Sequence, residues 1–235
     1  MPAAERVNVI SPASDAHRIL EKPAEEGPKP RIESLSDLVF GLALAIGAIA
    51  LVNNPPTTAS GMYRDIAIFG FSFIVIISIW IRYTRIMSVL PIETRLTLLL
   101  NSLLLFTVTL EPYIYNILRL GGASSPIPAS LFESASSLFG IDLGAMMFVM
   151  GVFTLALADE EKHLVPGRLI SQLRSEAASW FIASAVFLVS AIPLFGRMDL
   201  SGVVTSGFTI RQVMWIVALI VALASPAARK SIRPA

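Results

Sequence analysis

Six long apolar stretches, separated by short segments that hold nearly all the charge, constrain this chain more than any other feature. A bilayer core of about 30 Å needs roughly 20 mostly apolar residues per helix, and about 17 to 25 are tolerated. The stretches run from Leu35 to Val52, between Asp65 and Arg82, from Thr94 to Leu118, between Asp142 and Asp159, from Ala177 to Phe195, and from Gln212 to about Ala227. The first ends at Asn53-Asn54-Pro55-Pro56, which cannot continue a helix. The second, fourth and sixth are a little short and extend into flanking polar residues that snorkel. The expected fold is an all-α integral membrane protein with six transmembrane helices per subunit.

Composition agrees. Apolar residues make up 54% of the chain and charged residues 15%, against about 25% charged in a soluble domain. The net charge of +1 leaves no basic stripe of the kind a nucleic-acid groove requires. Cysteine is absent, which excludes disulfides, thiolate metal sites and cysteine nucleophiles. His17 and His163 stand apart, without the neighbours of a metal site or general base, and no nucleophile, base and orienting group can be placed together. Neither an enzyme nor a cofactor is expected. Residues 1–30 are polar and Pro-rich, lack the apolar core of a signal peptide, and read as a cytoplasmic tail. Residues 31–228 then form the membrane domain, and residues 229–235 a basic cytoplasmic tail.

Lys and Arg set the orientation. With loops alternating sides, one side collects fourteen of them and the other only Arg64, Arg119, Arg197 and Arg211. The split favours an even number of spans with both termini in the cytoplasm. The segment Gly121–Ser137, rich in small residues, reads as an external loop.

The strongest local signal is Arg31-Ile32-Glu33-Ser34-Leu35-Ser36-Asp37-Leu38-Val39-Phe40, a charged and hydroxylic cluster at the mouth of an apolar span. An ionisable group at the centre of a membrane helix costs about 2.5 to 3.5 kcal/mol on insertion scales, so such a group needs a partner or water. One reading is that Ser36 and Asp37 cap the helix N-terminus. Beyond them, Leu42, Ile46 and Ile49 form a bulky stripe, and Gly41, Ala45 and Ala48 a small one that suits a packing seam. The bulky stripe faces either lipid or a symmetry axis, where rings of Leu and Ile would gate by dewetting.

Other candidates have plain readings. Glu111-Pro112 marks the end or a kink of the third span at the interface, although a carboxylate there would also attract cations. Asp159-Glu160-Glu161-Lys162-His163 is a solvated loop, with pH sensing by His163 as the alternative. Tyr113, Tyr115, Trp180 and Trp215 suit interfacial anchoring. The mid-membrane positions read as free of ionisable groups.

The Arg31 to Phe40 segment resembles the opening of the first helix in prokaryotic relatives of the endolysosomal potassium channel transmembrane protein 175. That family begins with Arg, three residues, then Phe-Ser-Asp, and this chain has Arg31, Ser36, Asp37, Val39 and Phe40 in register. The resemblance continues through Trp80-Ile81-Arg82 and Asn101-Ser102-Leu103-Leu104-Leu105. It implies a homotetramer in the cell membrane, permeable to K+ and possibly to Na+ or H+, in which four first helices surround the pore. It further implies a constriction at Leu42, with Ile46 and Ile49 as further layers and no bound metal beyond permeating K+. Arg31, Ser36 and Asp37 would join a polar network with Trp80 and Asn101, which can both donate to a carboxylate. Leu35, Ala45 and the pair Tyr83-Thr84 stand where the family has Phe, Thr and a His pair. The alternatives from other classes are a secondary transporter, which needs an intramembrane ionisable site, and a non-conducting scaffold.

Overall fold

The computed structural model describes residues 31–53, 55–90, 95–121, 127–159, 164–198 and 209–224. The elements among them are all α-helical: α1 (Arg31–Asn53), α2 (Ala59–Met87), α3 (Arg95–Leu120), α4 (Ala129–Leu157), α5 (Gly167–Ser190), α6 (Pro193–Arg197) and α7 (Ile210–Leu223). Both tails and Glu160, Glu161, Lys162 and His163 lie outside the described residues.

The helix ends follow local chemistry. Thr58 caps α2 by accepting a hydrogen bond from the Gly61 N–H at 3.1 Å. Pro193 stops the run that begins in α5 and sits in the first turn of α6. Thr209 and Gln212 form a reciprocal capping box at the start of α7. Pro112 was expected to end or kink the third span, yet α3 continues through it to Leu120. The linker reading of Gly121–Ser137 is also corrected: α4 begins at Ala129, and residues 122–126 lie outside the described residues.

Among the described residues, four helices are long and apolar enough to cross a membrane: α1 from Ser34, α2, α3 and α4. The fifth and sixth expected spans fall short of that. Helix α5 carries Arg168, Arg174 and Glu176 in its first half, and α7 has 14 residues, about 21 Å of helix. Large apolar side chains stand exposed on every one of these helices, a surface that suits lipid and not water.

Helix α4 is the centre of the bundle, packed between α3 and α5, while α7 lies on α5 and α1 lies on α3 and α2. The most apolar stretch of α4 is 67% buried, against 22% for that of α1, so α1 is peripheral within one chain. Close approach of α4 and α5 depends on Gly140 and Gly144. A Cβ at Gly140 would lie 3.0 Å from the Phe187 carbonyl oxygen, and one at Gly144 2.8 Å from Leu188. Ser184 donates to the Gly144 carbonyl at 2.8 Å across the same seam. Small residues that admit a neighbouring backbone are how helices associate in lipid.

The small stripe of α1 is not such a seam within the chain. Gly41, Ala45 and Ala48 are exposed, and α1 instead buries Ser36, Phe40, Ala43 and Gly47. Three of the four expected interfacial aromatics are internal as well: Tyr115, Trp180 and Trp215 are buried and only Tyr113 is exposed. Trp215 packs against Phe139 with ring centroids 4.8 Å apart and the planes tilted by 59°, and its Nε1 donates to Ser190 Oγ at 2.9 Å.

Two arginines on the sparse side of the charge split are internal too. Arg211 donates to Ser190 O at 2.8 Å, Ser136 Oγ at 2.8 Å, Glu133 Oε1 at 2.7 Å and Ile192 O at 3.1 Å. It ties α4 and the end of α5 to α7. Arg119 donates to Asp65 Oδ2 at 3.1 Å, joining α3 to α2. Both therefore hold helices together within the chain.

Candidate functional site

Helix α1 starts at Arg31, five residues ahead of Ser36. Ser36 and Asp37 thus lie more than one turn inside the helix, and the capping reading fails. Ser36 is fully buried, with its Oγ 2.7 Å from the Tyr83 hydroxyl. Tyr83 donates to Asn101 Oδ1, also at 2.7 Å. The one phenolic proton is committed to Asn101, so Ser36 is the donor to Tyr83. Beside this chain Trp80 Nε1 donates to Asp37 Oδ1 at 2.9 Å. Asp37 itself is exposed.

The structure thus brings Ser36, Asp37, Trp80 and Asn101 to one end of α1, α2 and α3. Asn101 serves as acceptor to a tyrosine and not as donor to Asp37. The side chain of Arg31 lies outside the described residues. Tyr83 is the member that sequence reasoning missed, although it links α1 to α3. It is buried, its ring centroid lies 5.6 Å from that of Phe40 and 6.5 Å from that of Phe153, and its hydroxyl is the junction between Ser36 and Asn101. Nearby, Arg82 is paired with Glu176, which anchors α2 to α5.

Opposite the anchored face, Leu42, Ile46 and Ile49 are 54%, 46% and 55% exposed. Leu35 and Leu38 continue the same stripe toward the start of the helix and are also exposed. One chain therefore holds α1 by a buried polar face and presents a continuous aliphatic ridge outward.

The reading of the mid-membrane positions as free of ionisable groups is wrong. Glu111 on α3 and Asp142 on α4 are 2% and 3% exposed, deep inside helices that extend well beyond them. Asp142 was taken as the boundary of the fourth span, whereas α4 begins thirteen residues before it. A boundary drawn at each charge cannot reveal a charge that the bundle encloses.

Long apolar helices, lipid-suited surfaces and polar links buried between helices define a multi-pass α-helical membrane protein. Residues 31–112 match the family model described as the endosomal/lysosomal potassium channel TMEM175. A protein of Marivirga tractuosa named "Potassium channel" is 33% identical over 116 residues, which cover 47% of this chain and 45% of that relative. The chain spans about half the length of the curated relative it matches. No solved structure matches the chain. The similarity to the TMEM175 family lies in residues 31–112, which hold α1, α2 and most of α3.

Proposed function

We propose that the protein is a potassium-permeable cation channel in which copies of α1 surround the conduction path. Leu42, Ile46 and Ile49 form its aliphatic constriction. The observation that carries this reading is the asymmetry of α1: one face is fixed by hydrogen bonds to α2, where Tyr83 passes the link on to α3, and the opposite face is an exposed ridge of large aliphatic side chains. A ridge held rigidly from behind can make a narrow hydrophobic gate when copies meet around an axis. The family match and the name of the Marivirga tractuosa relative support potassium as the permeant ion.

The proposed assembly is a homotetramer of six-span subunits in the cell membrane with both termini cytoplasmic. The charge split of fourteen to four supports the orientation. Ser36, Asp37, Trp80, Tyr83 and Asn101 set the angle of α1 and are not themselves the ion path, and Arg31 is proposed to join them.

Purified protein in liposomes is expected to pass K+ down its gradient, and Leu42→Ala to raise conductance or relax discrimination among K+, Na+ and H+. An absence of flux from well-folded oligomers, or no effect of that substitution, overturns the reading. Asp37→Ala is expected to weaken assembly more than selectivity. Intact oligomers with altered ion preference would make Asp37 a permeation residue instead.

The buried pair Glu111 and Asp142 removes one argument against a secondary transporter, which requires intramembrane ionisable groups. The same liposomes separate the two readings. A channel only dissipates a K+ gradient, whereas a transporter builds one when a pH gradient is imposed.

A further inference from the structure

Glu111 lies nine residues before the end of α3, about 13 Å along the helix. Asp142 is thirteen residues from the start of α4 and fifteen from its end, about 20 Å from either. Asp142 therefore sits at the middle of a bilayer-length helix, and it lies within electrostatic reach of Glu111. Among the described residues neither oxygen of Asp142 finds a hydrogen-bond partner, nor does Glu111 Oε1. Ser72 on α2 is 3% exposed and faces Glu111 without a completed hydrogen bond. The buried Tyr115 hydroxyl, one helical turn along α3 from Glu111, is also without a partner.

Among the described residues no cation neutralises the pair. The arginine on that side of α3, Arg119, is engaged with Asp65 and Asn116. Helix α1 has no titratable residue between Asp37 and Asn53. The charged residues of α5, Arg168, Arg174 and Glu176, lie in its first half, while the α5 side chain bonded to the neighbouring turn of α4 is Ser184, a hydroxyl. Arg211 of α7 is held by Glu133. The groups near the pair are thus Ser72 and Asp65 from α2, and Tyr115 and Arg119 from α3. Two neighbouring carboxylates in a low-dielectric interior cannot both be ionised without a counter-charge.

We propose that Glu111 and Asp142, with Ser72 beside Glu111, form an intramembrane proton-binding site in which the buried carboxyl groups are held protonated at neutral pH. Protonation removes the buried charge and leaves a carboxylic acid, which donates where a carboxylate cannot. The Ser72 hydroxyl completes the site from α2. A proton fits this donor set better than a metal ion. Hard cations take about six or more oxygen ligands, and the described residues include no group of three acidic, His or Cys side chains able to hold one. The site is buried, whereas the ridge of α1 is exposed and shares no residue with it, so the proposal does not rest on the proposed pore.

The test is infrared difference spectroscopy of the full-length protein in liposomes, following the carbonyl stretch of neutral carboxyl groups across a pH titration. The expected result is a neutral-carboxyl band present at neutral pH that shifts in D2O, titrates away in alkali and is unaffected by exchanging Na+ for K+. The band should shift in Glu111→Gln and in Asp142→Asn and be lost in the double variant. Absence of such a band in the unsubstituted protein overturns the proposal, as does its persistence unchanged in the double variant. A band that vanishes on addition of K+ would mean a metal-cation site instead and also overturns it. Should the double variant fail to fold, the titration of the unsubstituted protein and the shifts in the single variants decide the matter.

Discussion

Tyr83 accepts from Ser36 and donates to Asn101, so removing its hydroxyl breaks two buried hydrogen bonds at once. Tyr83→Phe is expected to cost about 1 to 3 kcal/mol and to lower the unfolding temperature in detergent. Trp80→Phe removes one bond to an exposed carboxylate, where water takes the place of the indole, and is expected to cost less, about 0.5 to 1.5 kcal/mol. A thermal melt of the two variants side by side checks the order, and a larger loss at Trp80 would contradict it. Asp37 and Trp80 were brought together at the sequence level only by the family resemblance, and their complementary chemistry, an indole N–H and a carboxylate, agrees with it. Tyr83 was not, since it stood out only as a departure from a histidine pair, and a side chain's role as a bridge depends on what lies on both sides of it. Glu111 and Asp142 were misread for a related reason. A carboxylate beside an apolar run looks the same in sequence whether water or another helix surrounds it.

At the scale of the helix, apolar length and charge located the elements well and their ends poorly. Proline and asparagine after Val52 ended α1 as expected, while Pro112 did not end α3 and the small residues before Leu138 did not prevent a helix. Helix length in a bundle is set by burial along the whole element, and a local breaker is only one contribution. The α4 and α5 seam offers a direct check. Gly140→Leu places a branched side chain against the Phe187 carbonyl, and overpacking of this kind costs about 1 to 3 kcal/mol, read as a lower melting temperature. Arg211 provides a second. Breaking a buried pair costs about 3 to 5 kcal/mol, and because Glu133 is partly exposed the lower end is expected for Arg211→Met. Adding Glu133→Leu should recover part of that loss by removing the stranded carboxylate. A double variant no more stable than Arg211→Met would show that the Arg211 bonds to Ser190, Ser136 and Ile192 dominate.

For the molecule as a whole, the class of protein followed from the sequence because six apolar stretches have few other solutions in water or lipid. What one sequence could not distinguish was whether the ridge Leu42, Ile46 and Ile49 faces lipid or other copies of itself, since both surroundings select the same aliphatic side chains. The structure sharpens the question, because α1 is fastened through Ser36 and Asp37 on one side and leaves that ridge unpartnered within one chain. The absence of cysteine in the chain makes the decisive measurement clean. Single variants Leu42→Cys, Ile46→Cys and Ile49→Cys, with Ile182→Cys on the exposed face of α5 as control, are reconstituted in liposomes, and K+ flux is recorded before and after a thiol-reactive reagent. Block at the three α1 positions and none at Ile182→Cys is the predicted result. Undiminished flux at all three, with modification verified by mass, would contradict a conduction path lined by α1.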